Sequence, residues 1–271
     1  MDSLSPEKRV KVSLCFFLFI FVFGLHQTID ILASIHLIPE WLQLFAHAAI
    51  HVVFIGASIM LIKAEGSSFR EHGFWLPNNS SRYFSISALL ALVYILITLF
   101  LPGSIMDFEA FPAIPLPSVF LEIVSILLTS LATETVFRGY IQTNLTRVYG
   151  SFSAICISSL MFALYKFPLS WLPGLDTTSV LYNALSPFIA SIFLGFLFQK
   201  AKTLACPVTF YAALLLLSSL TPLRANTTGI MTLFFEATAY IILTLLLHLI
   251  LLKETETPQN EFLNVNSYEE S

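Results

Sequence analysis

Charged side chains are scarce in this chain. Of its 271 residues, 11% are Asp, Glu, Lys or Arg, whereas about 25% is ordinary for soluble domains. Hydrophobic residues make up 56% of the chain and include 26 Phe, and the mean hydropathy is +0.82. Charge this sparse cannot cover a soluble fold of this length. The composition predicts an integral, multi-pass membrane protein that contacts the lipid bilayer, in either the plasma or inner membrane or the endoplasmic reticulum.

Basic residues and cysteines are also few. The 13 Lys and Arg residues are scattered between apolar runs, which excludes the concentrated basic face of a nucleic-acid-binding protein. Cys15, Cys156 and Cys206 lie far apart within apolar runs. Their spacing fits neither a zinc site nor a disulfide framework, so we interpret them as packing residues. The first apolar run is too long for a signal peptide and lacks a following cleavage site, which predicts an uncleaved first span.

Long apolar segments, in contrast, are frequent. A helix needs about 20 apolar residues to cross the hydrocarbon layer. Segments that reach or approach this length cover residues 12–36, 42–62, 84–102, 117–146, 150–167, 178–199, 203–221 and 228–252. We therefore expect an all-α fold with about eight transmembrane helices in a single membrane-embedded domain, residues 1–252. The polar, acidic tail of residues 253–271 is expected to be disordered.

The distribution of positive charge predicts the topology, because Lys and Arg favour cytoplasmic loops. With a cytoplasmic N-terminus, most of them lie on the cytoplasmic side, namely Lys8, Arg9, Lys11, Lys63, Arg70, Arg82, Arg147, Lys200, Lys202 and Lys253. Both termini are thus expected to be cytoplasmic. The polar interval 63–84 would lie along the cytoplasmic interface, with Phe74 and Trp75 among the lipid headgroups.

One span contains two charges, Glu134 and Arg138, four residues apart. Each costs about 2.5–3.5 kcal/mol at the centre of a membrane helix, so such residues indicate a functional site by default. At this spacing they share one face of the helix. On spacing alone, a functional site and a self-neutralising pair that helps helices pack are both open interpretations.

The residues around this pair resemble the CAAX-protease and bacteriocin-processing family of intramembrane proteases, which includes the type II CAAX prenyl endopeptidases. That family carries Glu-Glu-x-x-x-Arg on one span, Phe-x-x-x-His on the next, and His-x-x-x-Asn or Asp further along. Here the first motif reads "TETVFR", followed by "GY", and the other two align with residues 162–166 and 211–215. The eight expected spans and the stretch "FREHGFWLP" also look like this family.

The resemblance implies a site in which the first glutamate and the second-motif histidine activate water, while the third motif stabilises the oxyanion. The second glutamate and the arginine support this site. In this chain the replaced positions are Thr133, Lys166, Tyr211 and Leu215, and the retained positions are Glu134 and Arg138. Threonine is not a carboxylate base and leucine donates no hydrogen bond. Losing one such base or oxyanion donor removes about 10²–10⁴-fold in rate. The resemblance therefore implies a degraded active site, that of a pseudoenzyme.

The replacements still suggest an organised site. Glu134 and Lys166 would lie at similar depths on adjacent spans, roughly 20 and 22 Å from the cytoplasmic ends. We expect a buried Glu134–Lys166 ion pair with Arg138 and Tyr211 as neighbours. Two alternatives remain: Lys166 extends to the outer interface, or a neutral Lys166 acts as the base for a Thr133 nucleophile.

Other polar residues within the spans are weaker candidates. His47 and His51 share a helix face and could bind a metal, but no third ligand follows at helical spacing, which favours packing. Asp30 and Glu236 are interpreted as helix-packing hydrogen-bond partners, and His248 as interfacial. The sequence implies no particular cofactor.

Three classes of function follow. The favoured one is a non-catalytic protein that binds a membrane segment, a lipidated tail or a partner protein. The second is an active intramembrane endopeptidase with an atypical site around Glu134. The third is a transporter or channel with Glu134, Arg138, Lys166 and Glu236 along its route. It ranks last, because the repeated broken helices typical of transporters are not evident in the sequence.

Overall fold

The computed structural model describes residues 5–76, 80–99, 104–106, 116–167, 176–220, 223–225 and 229–255. Within these residues the α-helices are α1 (Pro6–Ser34), α2 (Glu40–Ala64), α3 (Ser80–Leu99), α4 (Leu116–Glu134), α5 (Thr143–Tyr149), α6 (Ser151–Lys166), α7 (Thr177–Ala201), α8 (Ala205–Leu220) and α9 (Gly229–Thr255). A π-helical segment, Thr135–Gln142, joins α4 to α5 without a break. Two three-residue strands, β1 (Ser104–Met106) and β2 (Leu223–Ala225), pair antiparallel. The all-α prediction is confirmed.

Each of the eight apolar segments predicted from the sequence has a helical counterpart. Within the described part of the chain, six helices are long and apolar enough to cross a membrane: α1, α2, α3, the continuous α4–α5 helix, α7 and α9. The two others, α6 and α8, are apolar but have 16 residues each, fewer than the roughly 20 that a full crossing requires. The chain is thus an integral, multi-pass membrane protein.

The continuous α4–α5 helix passes through the middle of the bundle. All eight residues of its π-helical segment are buried. Helices α2 and α8 pack against α4, while α6 packs against the π-helical segment and α5. Around this centre, α6 packs on α7, α3 on α8, and α7 on α9. Because the first family motif lies on the central helix, the fold buries it from every side.

The interval between α2 and α3 packs against the protein instead of only lying along an interface. Trp75 Nε1 donates a hydrogen bond to the carbonyl of Lys202 (2.8 Å), and Thr203 Oγ1 donates to the carbonyl of Trp75 (2.7 Å). The backbone N–H of Leu204 donates to the carbonyl of Gly73 (3.0 Å). Phe74 packs on the hydrophobic core. Phe74 and Trp75 therefore both contact the bundle while staying half-buried, and their expected contact with the lipid headgroups stays a prediction.

The C-terminal helix runs slightly beyond its predicted end. Helix α9 continues to Thr255, so the first three residues of the tail predicted at 253–271 are helical. The disorder predicted for the rest of that tail concerns residues that lie outside the described part of the chain.

Candidate functional site

The π-helical segment positions the candidate site. A wider helical turn frees carbonyls from the usual ladder, and π-helical turns are frequent at functional sites. Here side chains satisfy them: Thr143 Oγ1 donates to the carbonyl of Arg138 (3.0 Å) and Thr146 Oγ1 to that of Gln142 (2.7 Å). His72 Nδ1 donates to the carbonyl of Gly139 (2.7 Å). The segment is thus held by hydrogen bonds from its own helix and from the α2–α3 interval.

Glu134 and Arg138 form a fully buried ion pair. Arg138 Nε lies 3.3 Å from Glu134 Oε2, and neither side chain has any exposed surface. Neither carboxylate oxygen has a hydrogen-bond partner among the described residues. The carboxylate is therefore neutralised by the guanidinium next to it, while its hydrogen-bonding capacity is left unused.

Arg138 also ties the central helix to α7 and α6. Its Nη2 donates to both the carbonyl (3.1 Å) and the hydroxyl (2.9 Å) of Ser191. The guanidinium carbon lies 5.1 Å from the centroid of the Phe162 ring. One turn further along, Gln142 Nε2 donates to the carbonyl of Gly195 (3.0 Å). Arg138 is thus a packing residue as well as a counter-ion.

Thr133 and Lys166, two of the replaced motif positions, make their direct contacts with groups other than the Glu134 carboxylate, although Lys166 lies close enough to interact electrostatically with it. Thr133 Oγ1 donates to the carbonyl of Thr129 (2.8 Å) on its own helix. Lys166 ends α6, and its Nζ lies 5.3 Å from the centroid of the Tyr165 ring and 5.7 Å from that of Tyr211. Thr133 thus bonds to its own helix and Lys166 contacts aromatic rings, and neither contact is part of the water-activating site that the family resemblance implies.

The expected direct Glu134–Lys166 ion pair is wrong. Among the described residues, the salt-bridge partner of Glu134 is Arg138. The physical reason is local: Arg138 lies one turn away on the same helix, while Lys166 at the end of α6 is held over two aromatic rings. The prediction that Glu134 and Arg138 share a face agrees with this geometry.

Tyr211 and Leu215 occupy the third motif on α8. The Tyr211 ring is nearly buried and lies 6.0 Å from that of Phe162, edge to face. Leu215 packs against the hydrophobic core. Helices α4, α6 and α8 therefore bring the three motifs together, but a cation, a phenol and an alkyl group stand where the family has imidazole and amide.

The two histidines on α2 have different neighbours. His47 Nε2 lies 3.5 Å from Asp30 Oδ1, and His26 Nδ1 lies 2.9 Å from Asp30 Oδ2. His51 is instead 3.4 Å from Thr129 Oγ1 on α4. His47 and His51 thus do not share a set of ligands, but two potential ligands from α1, His26 and Asp30, lie next to His47.

The other polar residues singled out in the sequence have simpler surroundings. Tyr182 on α7 donates a hydrogen bond to Glu236 on α9 (2.6 Å), so Glu236 has the helix-packing role expected of it. His248 is exposed on α9. All three cysteines are free, and Cys15 Sγ donates to the carbonyl of Ile141 (3.9 Å) in the π-helical segment.

A polar cavity of about 580 Å³ lies beside the cytoplasmic-facing end predicted for the central helix. Its lining includes Gln142, Thr143, Thr146 and Arg147 from that helix, Ser68, Arg70, Glu71 and Trp75 from the α2–α3 interval, and Gln199 and Lys202 from the end of α7. Arg147 forms an ion pair with Glu71, and the Arg70 guanidinium lies 5.0 Å from the Trp75 ring. The cavity therefore carries more positive than negative side chains.

His72 is a buried residue that the sequence did not single out. Besides its bond to Gly139, its ring stacks on Tyr140 with 6.1 Å between centroids. Burial lowers the pKa of His72, and the hydrogen bond to the Gly139 carbonyl opposes this. In the sequence, His72 stands among polar residues in "FREHGF", which suggests a solvent-exposed side chain. The available sign of close packing was Gly139, a glycine inside an apolar helix, against which His72 packs.

Residues 115–217 match the family described as Type II CAAX prenyl endopeptidase Rce1-like. The matched segment contains all three motif regions and runs from the start of α4 nearly to the end of α8. A comparison with curated proteins found no match. The resemblance drawn from the motifs is therefore confirmed over this segment, which is similar to the Rce1-like, CAAX-protease family of membrane proteins.

Proposed function

We propose that this chain is a non-catalytic member of its family that binds the lipidated C-terminal tail of another protein. The single observation that carries the proposal is the pairing of Glu134. The retained acid is fully buried and paired with Arg138, and the motif positions that would activate water around it are Thr133 and Lys166. A fold that keeps its bundle but lacks this chemistry retains binding as its function.

The positions of the replaced residues support the absence of hydrolysis. Water activation needs a base within about 2.6–3.2 Å of the proton that it removes. Thr133 is not such a base, and its hydroxyl donates to its own helix. This contact also weakens the alternative of a Thr133–Lys166 dyad, because a nucleophile must direct its hydroxyl to its base.

The polar cavity supports binding of a tail. A CAAX tail ends in a free carboxylate on the third residue after its prenylated cysteine. Arg70, Arg147 and Lys202 face the cavity against one acid, Glu71, which gives it the charge to accept a carboxylate. Its volume of about 580 Å³ falls in the range of about 300–1,000 Å³ that ligand pockets occupy. The lipid chain would remain in the surrounding bilayer or between the helices.

One observation favours an active endopeptidase as the second candidate. Both oxygens of Glu134 lack hydrogen-bond partners among the described residues, so the carboxylate could accept protons from a substrate water. Assays of both candidates therefore have to include a Glu134 variant.

Hydrolysis is tested in liposomes with a prenylated CAAX peptide. We expect no cleavage by the unmodified chain. The combined variant Thr133→Glu, Lys166→His, Tyr211→His and Leu215→Asn restores the family motifs and is expected to cleave, and adding Glu134→Gln to it serves as the matched control. Cleavage by the unmodified chain that Glu134→Gln abolishes would overturn the proposal.

Binding is tested with the same peptide on the unmodified chain in nanodiscs. We expect saturable binding of the prenylated peptide acid and at least about tenfold weaker binding of its C-terminal amide, because the amide removes the charge that the cavity accepts. Lys202→Gln should weaken binding of the acid and leave binding of the amide unchanged. Equal binding of acid, amide and an unprenylated peptide would refute tail recognition.

A further inference from the structure

Three side chains near the far end of α1 and the start of α2 form a cluster that the proposed function does not use. His26 and Asp30 are one turn apart on α1, and His47 reaches them from α2. One potential ligand atom from each residue lies within 4.8 Å of the other two. We propose that His26, Asp30 and His47 form a binding site for a divalent transition-metal ion, with zinc as the best fit.

The separations within this His26–Asp30–His47 cluster suit zinc. Around a tetrahedral zinc with bonds of about 2.0–2.2 Å, ligand atoms are about 3.3–3.5 Å apart. The observed carboxylate–imidazole separations are 2.9 Å to His26 and 3.5 Å to His47. All three ligand atoms lie within 4.8 Å of one another, so side-chain rotation would have to close the longest separation around one ion. Two imidazoles and one carboxylate favour zinc over magnesium, which prefers oxygen ligands.

His26 Nδ1 provides a second observation. This nitrogen is buried and makes no hydrogen bond among the described residues, although Asp30 Oδ2 is only 2.9 Å away. The contact has the distance of a hydrogen bond without its geometry. A metal ion bound by both atoms would use the lone pair on the nitrogen and the charge on the carboxylate together.

The surroundings hold the cluster in place. The edge of Tyr165 packs on the His26 ring with 4.4 Å between centroids. Gln27 Nε2 donates to the carbonyls of Tyr165 (3.2 Å) and Phe167 (3.1 Å), which fixes α1 against the end of α6 beside His26. These contacts order the ligands before any ion binds, so less conformational entropy is lost on binding.

Lys166 is the opposing charge. It lies close enough to interact electrostatically with Asp30, His47 and His51. Its ammonium compensates Asp30 when no metal is bound and repels an incoming cation. Zinc and the Lys166 ammonium thus compete for the negative charge of Asp30. Since Lys166 occupies the second family motif, zinc binding would also alter the surroundings of the candidate site. This inference does not depend on the proposed function.

The experiment titrates zinc into the full chain, purified through a histidine-free tag and treated with a chelator. Binding is followed by the rise in unfolding temperature and by the absorption of cobalt as a spectroscopic substitute for zinc. Ligand binding to the folded state raises stability in proportion to the logarithm of ligand concentration over Kd. We expect one ion per chain, and magnesium should not displace it.

Variants identify the ligands. His26→Gln, Asp30→Asn and His47→Gln should each weaken zinc binding at least about 10–100-fold, the loss already caused by removing a residue that only hydrogen-bonds to a metal ligand. His51→Gln, one turn from His47 and outside the cluster, is the matched control and should keep the affinity of the unmodified chain. Lys166→Met retains all three ligands and should bind zinc more tightly, so it remains informative where a ligand variant fails to fold. Absence of binding by the unmodified chain, or binding unchanged in all three ligand variants, would overturn the site.

Discussion

At the residue scale, the central feature is an acid with no exposed surface in the folded chain. Glu134 and Arg138 have no exposed surface. Removing such charges from water costs several kcal/mol per ion, and the attraction between the partners offsets this only with good geometry and further hydrogen bonds. Arg138 has those further bonds to Ser191, whereas the direct contact of Glu134 with a charged group among the described residues is the one with Arg138. The pair is therefore asymmetric: Arg138 keeps partners without Glu134, but Glu134 has no other ion-pair partner there.

This asymmetry predicts the effect of Arg138→Met. The substitution should lower the free energy of unfolding by about 3–5 kcal/mol, because it leaves a buried carboxylate without its counter-ion. Equilibrium unfolding in mixed micelles measures the change. Arg147→Met is the matched control: it removes the partly exposed ion pair with Glu71 and should cost no more than about 1 kcal/mol. The double variant Glu134→Gln, Arg138→Met should recover part of the loss. Equal effects of the two Arg substitutions would contradict this account.

At the element scale, the π-helical segment depends on its neighbours. Its carbonyls are satisfied by side chains, among them His72 from the α2–α3 interval. Gly139 lies against the interval: a Cβ there would lie 3.4 Å from the His72 carbonyl oxygen, an ordinary contact, and 3.3 Å from a methyl of Leu204. Gly73, next to His72, has φ of +81°, and a Cβ there would lie 2.6 Å from the Phe198 ring. Gly73 is thus the position at which the interval requires a glycine.

The buried His72 predicts a pH dependence of stability. Burial lowers its pKa in the folded state, so the unfolded chain, with a histidine pKa of about 6.5, binds the proton more readily. The contribution of His72 is therefore complete above about pH 6.5 and decreases as the pH falls below that value. Thermal unfolding between about pH 7.5 and 5 measures the slope.

Two variants separate this titration from a simple loss of packing. His72→Gln keeps an amide donor for the Gly139 carbonyl but does not titrate, so its stability should depend less on pH. Trp75→Phe removes a hydrogen bond from the same interval without removing a titrating group, and it should lower stability equally at every pH. An unchanged slope in His72→Gln would show that other groups cause the pH dependence.

At the scale of the whole molecule, the two ends of the bundle differ in charge. The polar cavity with Arg70, Arg147 and Lys202 lies at one end. The His26–Asp30–His47 cluster lies towards the other end of the bundle, near the turn between α1 and α2. Since positive residues favour the cytoplasmic side, we propose that the cavity end and both termini are cytoplasmic and that the α1–α2 turn faces the opposite side.

Cysteine labelling tests this orientation. In a variant with Cys15, Cys156 and Cys206 replaced by serine, single cysteines are introduced at Ser68 and Leu37, both of which are exposed. A membrane-impermeant maleimide added to intact cells should label Leu37→Cys and not Ser68→Cys. Inverted vesicles should give the reverse, and permeabilised cells, in which both sites should react, provide the control. The opposite labelling pattern would disprove the proposed orientation.

The sequence by itself determined the features that depend on local geometry or composition. Apolar length placed the long helices, because crossing a bilayer requires a minimum run of apolar residues, and apolar composition also marked the shorter α6 and α8. The four-residue spacing of Glu134 and Arg138 placed them on one helix face. The residues around them, "TETVFRGY", indicated the resemblance to the family. These inferences needed only residues that are close together along one helix.

Only the tertiary structure decided which side chains meet between helices. The rotation and axial register of packed helices follow from the packing of all their side chains, and hydropathy does not encode them. Lys166 therefore lies on aromatic rings instead of pairing with Glu134, Arg138 bonds to Ser191, and His72 supports the π-helical segment. For the same reason His26 and Asp30 join His47 through space, although no spacing along a single helix relates all three.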